Sequence, residues 1–509
     1  MFVDMHVGAL TEPLTGRRWE PPEIQRQLLR RLALYRHQGM RAGDRVLFLY
    51  GNRLEFFVDL LAVWSLGGCA IPIDIRLTPF EIETLARAAR PQFALAVEAI
   101  DEALVSRLAA LGVKLLEATE SALPAEEASS LSGRHPSLDR DALILFTSGT
   151  TGQPKGVVHT HRSLRARWVT LRQHLGLKAY RRTLCLLPTH FGHGLICNCL
   201  YPWLWGQELF ILPPFRADLV MQLGALLDEF EITFMSSVPA LWRLALKTAR
   251  PPRAGTLERV FCGSAPLSAH LWERIQEWTG TRNVFNAYGI TETGSWVAGT
   301  TMPEFAPADG LIGEPWGALV KILKSRSTDE PPWAVPGCAP NEPGYVWLNT
   351  PALMRGYWER DDLTRQVVSQ GWFMTGDIGL IDDRGWLYLR GREREEINKG
   401  GMKIYPGDID AVVERFTATI DVCCFGYDDP LYGQNVGLAV VLSDSRRETL
   451  RRLYYWLKQH LADHQMPVRW YLLEAIPRTS RGKINRAQVA DMCARLKPVD
   501  VHHLFSEKQ

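Results

Sequence analysis

The chain has 509 residues, too many for one hydrophobic core, so two or more domains are expected. Apolar residues make up 46% and charged ones 22%, the balance of a soluble globular protein, and a net charge of +2 gives no global pull towards nucleic acid or an anionic membrane. Nine cysteines without a CxxC pair or Cys/His metal spacing argue against a disulfide framework or zinc site and fit reduced thiols in a cytoplasmic enzyme.

The N-terminal stretch MFVDMHVGALTEPLTGRRWEPP carries acids and prolines where a signal peptide would need an unbroken apolar run. Residues 45–51 (RVLFLYG) then read as a strand, 54–66 as a buried helix and 69–74 (CAIPID) as a second strand. A helix over 78–91 opens with Thr78 as N-cap, Pro79 at the first helical position and Glu81 closing a capping box. FALAV (93–97) follows as a strand. Strands alternating with helices imply βαβ units and largely parallel sheets. Asp59 and Gly67-Gly68 interrupt one long apolar stretch, and Pro188, His190 and His193 another, so neither offers the roughly 20 apolar residues of a membrane span.

Residues 117–141 are rich in Ser, Ala, Glu and Pro and read as a connection to the strand ALILF (142–146). That strand runs into FTSGTTGQPKG (146–156). Backbone N–H groups of such a turn form a nest for anionic oxygens, and hydroxyls add donors. Thr147, Ser148, Thr150 and Thr151 supply the hydroxyls, Gly149 and Gly152 allow positive φ, and Lys155 adds a mobile charge. A helix beginning near residue 162 completes an expected strand–loop–helix context. A magnesium-dependent P-loop hydrolase would place a hydroxyl directly after the lysine, where Gly156 stands, so the carboxylate for a metal must come from elsewhere.

Further on, LFILPP, TFMSSVP and RVFCGSAP read as strands ending in turns, and residues 310–388 form a β-rich region of short strands among Gly, Pro and Trp. After Arg392 the charge-dense EREEINKGGMK opens a compact α/β tail, which sets the boundary between residues 1–393 and 394–509.

The loop resembles the signature of the acyl-adenylate-forming enzymes, which include acyl-CoA synthetases, peptide-synthetase adenylation domains and firefly-type luciferases. NAYGITETG (286–294), GWFMTGD (371–377), GREREEINKGGMKIYPGDID (391–410) and PRTSRGKINR (477–486) resemble the later motifs of that family, in its order. The resemblance implies an α/β fold: a large N-terminal domain of two stacked α/β subdomains plus a β-rich subdomain, and a small mobile α+β C-terminal domain. It implies ATP, Mg²⁺ and coenzyme A as cofactors. Asn286, Tyr288 and Gly289 would hold adenine, with Gly263, Ser264, Ala265 and Pro266 walling its other side; Asp377 and Arg392 would hold the ribose. Thr291 would donate to the α-phosphate, and Glu292 would supply the metal's carboxylate. Lys483 would bridge the attacking carboxylate and the phosphate oxygens, and is the expected catalytic residue. Rotation of the tail about Arg394, where the family usually has Asp or Lys, would then bring Gly400 and Gly401 to the acyl-adenylate for the pantetheine arm.

The acid pocket is expected around His190, Phe191, His193, Val238 and Ser264. Gly192 after Phe191 lacks the aspartate with which amino-acid-activating members grip an ammonium, and Phe191 also replaces the histidine expected three places after Pro188. NKGG and GKINR favour a coenzyme A ligase, and the chain stops at Gln509 without a carrier-protein domain. The leading expectation is therefore an AMP-forming acyl-CoA synthetase acting on a carboxylic acid, with aryl, fatty and small organic acids all open. The alternative is a stand-alone adenylating enzyme serving a carrier protein or an amine; a luciferase-like oxygenase and a P-loop NTPase stand further off.

Overall fold

The computed structural model describes residues 7–119, 121–124, 137–147, 154–214, 216–301, 305–479 and 482–499. Short, almost wholly apolar runs pack as parallel strands covered on both faces. Arg45–Phe48, Cys69–Pro72, Phe93–Ala96 and Lys114–Glu117 join Asp141–Thr147 in one sheet, which Lys155–Thr160 and Gly356–Tyr357 extend antiparallel. The helix Leu54–Ser65 is apolar all round and buried along most of its length. Of its two acids, Glu55 sits in the first turn and Asp59 is buried, neutralised inside the core by Arg31 at 2.7 Å and accepting from Tyr35 Oη at 2.5 Å. Among the described residues no helix is long and apolar enough to cross a membrane.

The capping box forms at the expected place: Glu81 N–H donates to Thr78 Oγ1 at 3.3 Å, and Thr78 N–H donates to Glu81 Oε2 at 2.8 Å. The element after the loop differs from expectation. Lys155–Thr160 is a six-residue strand paired in register with Asp141–Thr147, so the loop closes a β-hairpin and the helix His161–Leu175 begins only after it. The β-branched run Val157-Val158 and Thr160 favours the pleated form, and the helix N-terminus is thereby removed from the loop.

A second sheet of fourteen strands carries the rest of the large N-terminal part. Its parallel block includes Glu208–Ile211, Arg182–Cys185, Phe234–Ser237, Arg259–Gly263 and Val284–Ile290. From Ser295–Gly299 onward it becomes antiparallel, and Leu311–Pro315 joins it to Leu387–Arg392 and Trp372–Ile381. The β-rich region is thus hydrogen-bonded to its neighbour, through a strand whose register shifts between Leu311 and Gly313. A single turn, Glu393–Glu395, leads to a third, five-stranded sheet that begins with Ile397–Lys399 and packs the helices Pro406–Glu414 and Arg447–His460. All nine cysteines are unbridged, and all but Cys338 are buried.

Candidate active site

The hairpin that carries the loop ends on Thr147 paired with Lys155; Ser148, Gly149, Thr150, Thr151 and Gly152 lie outside the described residues. Lys155 Nζ stands 5.7 Å above the ring of Tyr357, which enters the same sheet opposite Val157. Tyr357 Oη donates to Glu292 Oε1 at 2.8 Å. Burial and the Glu292 carboxylate push the Tyr357 phenol far above its usual range, so it stays a donor. Tyr357 therefore links the lysine of the loop to the carboxylate of NAYGITETG, two sites the sequence offers separately.

Asn286, Tyr288 and Gly289 lie on Val284–Ile290, which ends at the 3₁₀ turn Thr291–Thr293. Asn286 Nδ2 donates to the Leu311 carbonyl at 2.7 Å, and its Oδ1 is an acceptor. A Cβ on Gly289 would come within 2.4 Å of the Ser295 backbone, so only glycine lets the two strands meet there. Tyr288 Oη donates to Asp377 Oδ2 at 2.5 Å, and Arg392 Nε lies 2.8 Å from Asp377 Oδ1. Asp377 and Arg392 are direct cross-strand partners, which places the two head groups together. The Arg392 guanidinium is raised above its ordinary pKa, first by Asp377 and also by Glu292, so the Asp377 and Glu292 groups share one neighbourhood.

The strand Arg259–Gly263 ends beside them. A Cβ on Gly263 would lie 2.4 Å from the Ala287 carbonyl, and Ser264 takes a left-handed φ of 68° before Ala265 and Pro266. A serine held in that region is strained, as functional-site residues often are. Its hydroxyl meets His193 Nδ1 at 2.8 Å, while His193 Nε2 meets Ser236 Oγ at 2.5 Å. His193 opens a π-helical segment, His193–Leu200, a rare form that clusters at functional sites. Phe191 and Trp296 pack on the His193 ring at centroid distances of 5.8 and 5.2 Å. Burial, and then the charge of Lys483, push the His193 pKa down to about 3, so the ring is neutral. His190 faces elsewhere, with Nε2 3.6 Å from Asp74 Oδ2.

Lys483 reaches this place on a loop of the third sheet. The loop is closed by Thr479 N–H donating to the Lys483 carbonyl at 2.8 Å, and its base is tied by Arg478 to both Asp421 oxygens at 2.7 and 2.9 Å. Gly482 lies against the wall next to the pocket: a Cβ there would stand 3.1 Å from Ala240 Cβ and 3.8 Å from Val238 Cγ2. Arg243–Glu414 and Arg415–Asp309 ion pairs hold the third sheet's helix to the second sheet's domain. Gly400 and Gly401, both at positive φ, form the tip of the hairpin Ile397–Ile404, and Arg394 is exposed at the centre of the preceding turn Glu393–Glu395.

A model of the AMP-binding enzyme family matches residues 26–358, and one of the AMP-binding enzyme C-terminal domain matches residues 408–483. The chain belongs to the AMP-binding enzyme family. Within it, the mitochondrial malonate–CoA ligase of Mus musculus is 29% identical over 492 residues, covering 89% of this chain and 83% of that one. The oxalate–CoA ligase of Arabidopsis thaliana is 29% identical over 469 residues, covering 89% of each. The ATP-bound crystal structure of MatB from Rhodopseudomonas palustris superposes with a TM-score of 0.85 at 23% identity, over 97% of each chain, and shares the fold. Two groups that meet the site residues belong to no motif: Tyr357, between Lys155 and Glu292, and Ser236, on the His193 ring. Each is brought in by strand pairing.

Proposed function

We propose that the chain joins a carboxylic acid to coenzyme A through an acyl-adenylate. A carboxylate oxygen attacks the α-phosphorus of ATP and pyrophosphate leaves; the coenzyme A thiol then attacks the acyl carbon and AMP leaves. The observation that carries this reading is the placement of Lys483, whose charge falls on His193 while its loop packs on Val238. A lysine so placed offsets the repulsion between carboxylate and phosphate as they approach. Tyr288 offers a face and Asn286 Oδ1 an acceptor for adenine, and each Asp377 oxygen keeps a lone pair for a ribose hydroxyl beside the bonds it already accepts. Glu292 suits Mg²⁺, because that ion takes one or two carboxylates and completes its shell with phosphate oxygens and water; among the described residues there is no larger acidic or histidine cluster. Bound there, Mg²⁺ supplies charge neutralisation of the phosphates. Acid-dependent exchange of pyrophosphate into ATP, with AMP and a new thioester formed only when coenzyme A is added, tests the proposal. ADP as product, or acyl transfer to a carrier protein or amine in place of coenzyme A, would overturn it.

The acid is proposed to carry one carboxylate on an uncharged body. Both His193 nitrogens are engaged by serine hydroxyls, the rings of Phe191 and Trp296 flank it, and among the described residues Lys483 is the cation whose charge falls on it. Among the described residues a second carboxylate would find no further cation at this ring, at a cost of a few kcal/mol. Benzoate- or cinnamate-type acids should therefore support pyrophosphate exchange at least about tenfold better than malonate or oxalate; the opposite order would reject this acid class.

The two domain-bridging ion pairs are proposed to hold the adenylating arrangement, from which the tail rotates about Arg394 to present Gly400 and Gly401. Arg243 and Glu414 are 20% and 13% exposed, so the pair is worth less than a fully buried one, ~1–2 kcal/mol. Glu414→Gln is expected to slow adenylation roughly tenfold and leave thioester formation from supplied acyl-adenylate unchanged, as separate half-reaction assays would show.

A further inference from the structure

The turn Thr291–Thr293 is held through all three of its backbone carbonyls. His159 Nε2 donates to Thr291 O at 2.7 Å, Met354 N–H donates to Glu292 O at 2.7 Å, and Arg167 donates to Thr293 O through Nε at 3.1 Å and Nη2 at 3.0 Å. Carbonyls tied in this way leave the Thr291 hydroxyl and Glu292 carboxylate as the chemistry the turn can offer a ligand.

Arg167 is fully buried on the helix His161–Leu175. A guanidinium has five N–H donors, and all five are used here. Beyond the two to Thr293 O, Nη2 donates to Thr350 Oγ1 at 3.2 Å, and Nη1 to Trp316 O at 3.0 Å and Thr170 Oγ1 at 3.2 Å. None of these partners is a carboxylate. Burial lowers the Arg167 pKa to about 10, so the group is still cationic at neutral pH. Keeping an unneutralised charge in the core is costly, and an apolar side chain would fill the same helix face without that cost. The fork it makes on one carbonyl is what an apolar residue, or a lysine, cannot reproduce. Gly294, at φ 67°, packs directly on the arginine's stem: a Cβ there would stand 3.5 Å from Arg167 Cβ.

His159 is also buried, with a pKa lowered to about 4 by desolvation, so its ring is neutral. A carbonyl only accepts, so Nε2 carries the proton and Nδ1 faces the Ser163 hydroxyl at 3.2 Å. His159 and Arg167 stand on the strand and helix that follow the phosphate loop.

We propose that Arg167, together with His159, is a positioning residue for adenylation: the two fix the turn's carbonyls so that Thr291 meets the α-phosphate and Glu292 the metal ion that neutralises it. This rests on the adenylating role proposed above for that turn. The test is Arg167→Lys, which keeps the charge but loses the fork, and His159→Phe, which keeps the ring but loses the donor, each assayed in both half-reactions. Small displacements of a positioned group cost rate out of proportion to their size. In both variants kcat for adenylate formation is expected to fall roughly tenfold to a hundredfold. KM for the acid and thioester formation from supplied acyl-adenylate should change less than about threefold. Equal losses in both half-reactions, or undiminished adenylation in the variants, would overturn the proposal and leave Arg167 and His159 as core groups only. Should Arg167→Lys fail to fold, His159→Phe decides alone by the same split. A wild-type chain that exchanges pyrophosphate with no acid would count instead against the adenylating reading itself.

Discussion

Replacing Lys483 with alanine is expected to slow acyl-adenylate formation by roughly 10²–10³, about 3–4 kcal/mol, while thioester formation from supplied acyl-adenylate proceeds near the wild-type rate. The split follows from where the charge is needed. Attack on the α-phosphorus brings a carboxylate against a polyanion, and in the proposed reading Lys483 is the cation that offsets it, on a loop that packs against Ala240 and Val238. Attack of a thiol on an acyl-adenylate has no such encounter, and with the tail rotated about Arg394 the lysine would be absent from it. The loop itself should survive the change, because Thr479 N–H bonds the residue 483 backbone carbonyl and Arg478 anchors the loop's base to Asp421. A thermal unfolding midpoint close to wild type would accompany the lost rate. Equal loss in the two half-reactions would refute the division of labour.

Glu292→Gln is expected to lower adenylation on the order of a hundredfold and to raise the Mg²⁺ concentration needed for half-maximal rate. The amide oxygen of glutamine can still accept from Tyr357 Oη, which donates to Glu292 at 2.8 Å, so the change removes charge rather than shape. The turn's backbone is unaffected, since its carbonyls are held by His159, Met354 and Arg167. Titrating Mg²⁺ in pyrophosphate exchange for both proteins would measure the effect. An unchanged Mg²⁺ dependence would remove Glu292 from the metal site.

Local chemistry made much of this fold legible. The capping box at Thr78 and Glu81 and the strands over 45–51, 69–74 and 93–97 need only neighbouring residues to specify them, and they form where the residues direct. The hairpin on either side of the Gly-rich loop is not legible in the sequence, because a helix starting near residue 162 leaves Val157-Val158 unassigned, and pairing with Asp141–Thr147 settles that segment. The π-helical turn at His193 was equally hidden: its form depends on packing beneath Trp296 and Ser236, which come from distant strands. At the site, motif residues such as Asp377 and Arg392 could be named from sequence, and their cross-strand register brings them together. Tyr357, His159 and Arg167 could not be named so. Their contacts run to carbonyls, a lysine and a carboxylate brought near by the fold, and no spacing in the chain announces such contacts.

The most direct measurement uses an acid labelled with ¹⁸O in its carboxyl group, turned over with ATP and coenzyme A. Attack by that carboxylate on the innermost phosphorus requires one labelled oxygen to emerge in AMP once the thioester has formed. AMP free of label, or ADP and inorganic phosphate as the products, would contradict the adenylating chemistry built around Lys483.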